Sequence, residues 1–117
     1  MSHAVEPNEL AKNVAALGET PFLLYPGADG SVRANHVRVT VSPGAPEVLV
    51  RGFGRGVPAA IARDAKLSLL WPNPSQGEFS LIADGTGTIL DNQTITITVH
   101  SAVLHRPAPH DEQSTSC

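Results

Sequence analysis

The stretch "QTITITVHSAVLH", residues 93–105, alternates with a period of two. Ile95, Ile97, Val99 and Val103 fall on one side of an extended chain, and Thr94, Thr96, Thr98 and His100 on the other. A helix would scatter these residues around its axis, whereas a strand sorts them into an apolar and a polar face. β-branched side chains reinforce that choice. A strand this long cannot stand alone, because its backbone donors and acceptors need a neighbouring strand. "EFSLIADGTGTIL" (78–90) precedes it across a turn at Asp91-Asn92 and supplies one. Gly85 and Gly87 inside that run predict a bulge or a sharp bend. The chain is thereby committed to an antiparallel, mainly β fold.

The same period recurs upstream. In "SVRANHVRVTV" (31–41), Val37, Val39 and Val41 face one way, and Ala34, His36, Arg38 and Thr40 the other. "PFLLY" (21–25) reads as a short buried strand, and "PGADG" (26–30) as the turn joining the two, with Asp29-Gly30 a hairpin signal. "VLVR" (48–51) and "KLSLLW" (66–71) complete six strands. Trp71, beside a proline-rich loop, reads as a core residue. Two short helices interrupt the pattern. One has Asn8 as its expected cap, Leu10, Val14 and Leu17 on one face and Gly18 as its stop. The other is "VPAAIARDA" (57–65), with Pro58 in its first turn. Residues 1–7 read as a loose N-terminal lead-in, 8–107 as the domain, and 108–117 as a flexible polar C-terminal tail. Six curved strands with glycine at the bends fit a small closed or partly closed barrel.

Composition narrows the function. The 117 residues suit one domain. A formal net charge of −3 and few aromatic residues (one Tyr, one Trp, three Phe) disfavour nucleic acid as a partner. The single cysteine, Cys117, excludes a disulfide framework within this chain and suits a reducing compartment. No apolar run approaches membrane-span length, and "MSHAVEPNEL" has no apolar segment of a signal peptide, so a cytoplasmic protein without a membrane partner is expected. The histidines His3, His36, His100, His105 and His110 form no ligand motif, so no metal site is expected. No Ser-His-Asp or Cys-His set can be assembled from spacing.

"LVRGFGRGVPAAIARDA" (49–65) places Gly52, Gly54 and Gly56 between a strand and a helix. A dinucleotide fingerprint needs G-x-G-x-x-G within a βαβ unit and an acid about 20 residues on. Here the third glycine comes one position early, and "WPNP" stands where the acid belongs. Two readings stay open. Amides of Gly54 and Gly56 with Arg51 and Arg55 suit a phosphate; alternatively the glycines only turn the chain. Likewise His36 and Arg38 share a strand face that is either a ligand surface or a solvated one. His105 and Arg106 close the last strand.

The order of these elements, with "DAKLSLLWPNPSQGEFSLIADGTGTI" and the closing "SAVLHRP", resembles small actinobacterial members of the pyridoxamine 5'-phosphate oxidase-like superfamily, the flavin and deazaflavin split β-barrels. The resemblance runs from about Leu10 to Pro107. It implies a six-stranded antiparallel split β-barrel that forms a homodimer, with FMN or a deazaflavin in a cleft at the subunit interface and a small-molecule substrate for an oxidoreductase. It implies a phosphate near Arg51–Val57 and near His36–Arg38, and a contribution from the other subunit near His105 and Arg106. The family's FMN-binding oxidases carry Ser-Arg-Lys at the strand-to-helix junction, where this chain has Arg55-Gly56-Val57. The lysine is absent and the arginine displaced by one. A deazaflavin, weak flavin use, or a cofactor-free barrel that binds a small ligand or serves as a scaffold all remain compatible with that departure.

Overall fold

The computed structural model describes residues 2–75 and 77–107. The tail expected to be flexible, 108–117, lies outside them. Among the described residues the protein is mainly β, with eight strands in one antiparallel sheet and two α-helices. The strands are β1 (Ser2–Val5), β2 (Phe22–Pro26), β3 (Val32–His36), β4 (Arg38–Val41), β5 (Glu47–Arg51), β6 (Lys66–Trp71), β7 (Ser80–Ile89) and β8 (Thr94–His105). Helix α1 spans Leu10–Leu17 and α2 spans Gly56–Arg63. The ladder runs β3-β2-β6-β7-β8-β5-β4, with β1 beside the far half of β8. It does not close on itself. No helix among the described residues is long and apolar enough to cross a membrane.

Eight strands replace the expected six for two reasons. The run 31–41 breaks at Val37 into β3, which pairs with β2, and β4, which pairs with β5. The residues expected to be a loose lead-in instead form β1, whose Ser2 to Val5 pair with His105 to Ala102. The alternation read from the sequence survives the break: Val37 and Val39 are buried, and His36 and Arg38 are exposed.

α1 begins differently from expectation. Asn8 lies within a 3₁₀ turn, Pro7–Glu9, and Glu9 occupies the cap position without a side-chain hydrogen bond. The proline-led turn delivers the chain into the helix. Leu10 and Val14 bury the inner face, and Gly18, at φ 101°, ends the helix with its N–H donating to Val14 O. The Gly18 carbonyl accepts from Trp71 Nε1 at 3.0 Å. Trp71 is almost wholly buried, so the helix end is fastened to the sheet inside the core.

The core is the inner face of the sheet: Leu23, Leu67, Leu69, Leu81, Ile95, Ile97, Val48 and Val50 among others. The register slips once, between Asp84 and Gly85. Asp84 pairs with Ser101 and Gly85 with Val99, so the extra residue of the bulge is His100, on β8. Two consecutive residues, His100 and Ser101, then face outward. The phase of β8 flips, putting Ala102 in the core and Leu104 against it, where simple alternation placed Val103.

Candidate functional site

β4 and β5 are neighbours in register, with Arg38 directly across from Arg51. Both guanidiniums are exposed, and neither is ion-paired among the described residues. Like charges directly opposite on a ladder repel. His36, two residues before Arg38, shares its face. The imidazole is held from two sides: Nε2 lies 2.8 Å from the Thr20 carbonyl, and the Phe22 ring stacks on it with centroids 4.6 Å apart. A carbonyl only accepts, so Nε2 carries the hydrogen of this contact.

These three side chains line one cavity of about 540 Å³ with Thr20, Val37 and Gly52. A smaller cavity of about 300 Å³ adjoins it through Arg51 and Gly52 and reaches Phe53, Asn92 and Gln93. Asp91 stands at this end of the sheet, its carboxyl held below the ordinary aspartate range chiefly by the Gln93 N–H, with the Arg51 charge a lesser cause. Neither Glu47 nor Asp84 forms an ion pair with Arg51. Two arginines beside a cavity could hold an anion: each guanidinium offers a fork of donors to phosphate, and an anion between them would remove their repulsion. The residues present therefore fit a phosphate-bearing group.

The glycine loop is arranged otherwise than a simple cradle. Gly52, at φ 83°, lets the chain leave β5. The Gly54 N–H, expected to face an anion, donates to Asn35 Oδ1 at 2.7 Å. Gly56 opens α2 beside the Tyr25 hydroxyl. Arg55 is exposed at the cap position of α2 and does not line the cavity of Arg38 and Arg51. Asn35 was not singled out in the sequence. Its signal is weak: one amide residue on a strand, whose partner lies 19 positions away.

His105 and Arg106 are remote from the cluster within one chain. Arg51 pairs with Thr94 at the start of β8, and His105 ends that strand, about 36 Å away at about 3.3 Å per residue. There His105 Nδ1 meets Ser2 Oγ at 3.1 Å, and the Arg106 guanidinium lies 4.8 Å above the Phe79 ring.

A larger cleft, about 630 Å³, contains none of the residues expected from the sequence to bind a cofactor. It lies on the outer face of β6, β7 and β8 and extends to the adjoining β2–β3 hairpin, and its polar lining is Lys66, Ser68, Asp84, Thr86 and His100. No family model matches the chain, and no curated protein matches it.

Proposed function

We propose that this chain is a dimeric split-barrel protein that holds the phosphate of FMN or a deazaflavin at Arg38 and Arg51, with His36 lining the cleft, and acts as an oxidoreductase on a small molecule. The observation that carries the reading is the Arg38–Arg51 pair: two guanidiniums across one ladder, beside an imidazole fixed by Thr20 and Phe22. Arg55 and Gly56, at the start of α2, serve the same ligand beyond its phosphate. Gly54 acts through Asn35 as a shaper of the loop. His105 and Arg106 are supplied from the partner subunit, which is consistent with their distance from the cluster in one chain.

The split barrel has its own support. β3 runs into β4 through one residue, and the two are the ends of the ladder. At that junction the Val37 N–H donates to Pro21 O at 3.0 Å and the Val39 N–H to Glu19 O at 2.8 Å. These bonds tie β4 to the chain leading into β2, which favours a sheet curved toward a barrel.

A flavin or deazaflavin, when bound, supplies hydride transfer. The chain's own residues bind and orient: the arginines neutralise and fix the phosphate, and the Phe22–His36 stack gives a flat edge to the cavity. Titration of FMN, and separately of a deazaflavin, into the purified protein is expected to give saturable fluorescence changes for one of them. Arg38→Ala is expected to weaken that affinity about 10- to 150-fold, the scale of one charge-assisted hydrogen bond. Failure of both ligands to bind sinks the cofactor assignment in favour of a cofactor-free barrel.

A further inference from the structure

The cleft on the outer face of β6–β8 is built from charges and apolar walls in a pattern the cationic site lacks. Lys66 and Ser68 alternate on β6, and Asp84 and Thr86 on β7. Lys66 pairs across to Thr86, and Ser68 to Asp84. The ammonium and the carboxylate therefore sit on diagonal positions, about 7–8 Å apart at the backbone. They form no ion pair among the described residues. The Ser68 hydroxyl donates to one Asp84 oxygen and orients the carboxylate. The bulge turns His100 outward, and its Nε2 lies 2.8 Å from Thr86 Oγ1.

Leu24, Pro26 and Val32 of the β2–β3 hairpin, beside β6 in the sheet, supply apolar lining. Val32 is 77% exposed, the most exposed of the large hydrophobic residues described. The volume falls within the range of about 300–1,000 Å³ typical of small-ligand sites. One positive and one negative side chain near an aliphatic wall select a ligand that carries both charges close together and an aliphatic body.

We propose that this cleft binds an apolar α-amino acid. Its ammonium meets Asp84, its carboxylate meets Lys66 and the Thr86–His100 pair, and its side chain lies along Leu24, Pro26 and Val32. The assignment does not rest on the cofactor reading, because the two clefts share no residue.

The test is a titration of the ¹⁵N-labelled full chain with L-leucine, followed by amide shifts. Saturable shifts are expected at Ser68, Asp84, Thr86 and His100, with none at His36, Arg38 and Arg51. Asp84→Asn, which keeps an acceptor for Ser68, and Lys66→Met are each expected to weaken leucine about tenfold or more. N-acetyl-L-leucine, which lacks the ammonium, is expected to bind about tenfold more weakly than leucine. Should Asp84→Asn fail to fold, Val32→Ser tests the same site: it is expected to weaken leucine and leave glycine unchanged. Lack of saturable shifts, equal binding of leucine and its N-acetyl form, or cleft shifts that follow dilution of the protein instead of added leucine would each overturn the proposal. The last result assigns the face to a second copy.

Discussion

Gly85 sets the register on which the outer-face cleft depends, and its replacement by alanine gives a sharp test. A Cβ added there runs into the Thr98 carbonyl and Ile97 Cγ2. The Thr98 carbonyl is backbone of the paired strand and cannot turn aside as a side-chain tip can. Gly87, two residues on, is the matched control. Its added Cβ would lie 2.6 Å from Leu67 Cδ1 and 3.2 Å from Ile61 Cδ1, both ends of flexible side chains. Overpacking of this kind costs about 1–3 kcal/mol, with a backbone clash at the upper end. Restricting the unfolded chain returns about 0.4–1 kcal/mol in either variant. Gly85→Ala should therefore lose about 2 kcal/mol, and Gly87→Ala between about 0 and 1 kcal/mol. For a chain this size, 2 kcal/mol lowers Tm by roughly 6–12 °C. Urea unfolding with an unchanged slope gives the free energies. Only Gly85→Ala should also disturb the Thr86–His100 contact. A Gly85→Ala protein as stable as Gly87→Ala would refute the registry assigned to the bulge.

Two further outcomes follow from the charges. Removing one of two facing guanidiniums in the ligand-free protein relieves repulsion, so Arg38→Gln should raise stability by about 0.2–1 kcal/mol in dilute buffer, with the gain shrinking in 1 M salt. A loss of stability, or a gain that salt does not touch, contradicts the unpartnered pairing. Asp91 has a carboxyl lowered below its ordinary range, first by the Gln93 N–H. Its contribution is therefore present above the ordinary aspartate range and lost as pH falls through the depressed value. The stability difference between the wild type and Asp91→Asn should narrow only in that acid window, and a difference independent of pH counts against it.

Much of this fold is legible because its strands alternate strictly. "KLSLLW" becomes β6 residue for residue, and the face shared by His36 and Arg38 follows from Val37 and Val39 being buried. The Asp29-Gly30 turn appears where expected, with the Ser31 N–H bound to Asp29 Oδ1. β1 was illegible because Ser2–Val5 has little pattern of its own; its place comes from the open edge of β8, about a hundred residues away. Glycine in β7 signalled a bulge, but the extra residue fell on the partner strand, since a bulge is settled by two strands together. That is why the cleft with Ser68, Asp84, Thr86 and His100 escaped notice. Its members come from three strands, and only register unites them. For the cationic site, the residue types were readable, but pairing Arg38 with Arg51 needed the β4–β5 ladder. The Gly54 amide was given to a ligand because nothing local reveals that Asn35 takes it.

The most direct test of the cationic site compares FMN with riboflavin, which lacks only the phosphate, by isothermal titration into the wild type and into the Arg38→Ala, Arg51→Ala double variant. FMN is expected to bind at least about tenfold more tightly than riboflavin to the wild type, and the gap should close in the double variant. Equal affinities in the wild type, or a preference for FMN that survives loss of both arginines, would contradict a phosphate held by Arg38 and Arg51.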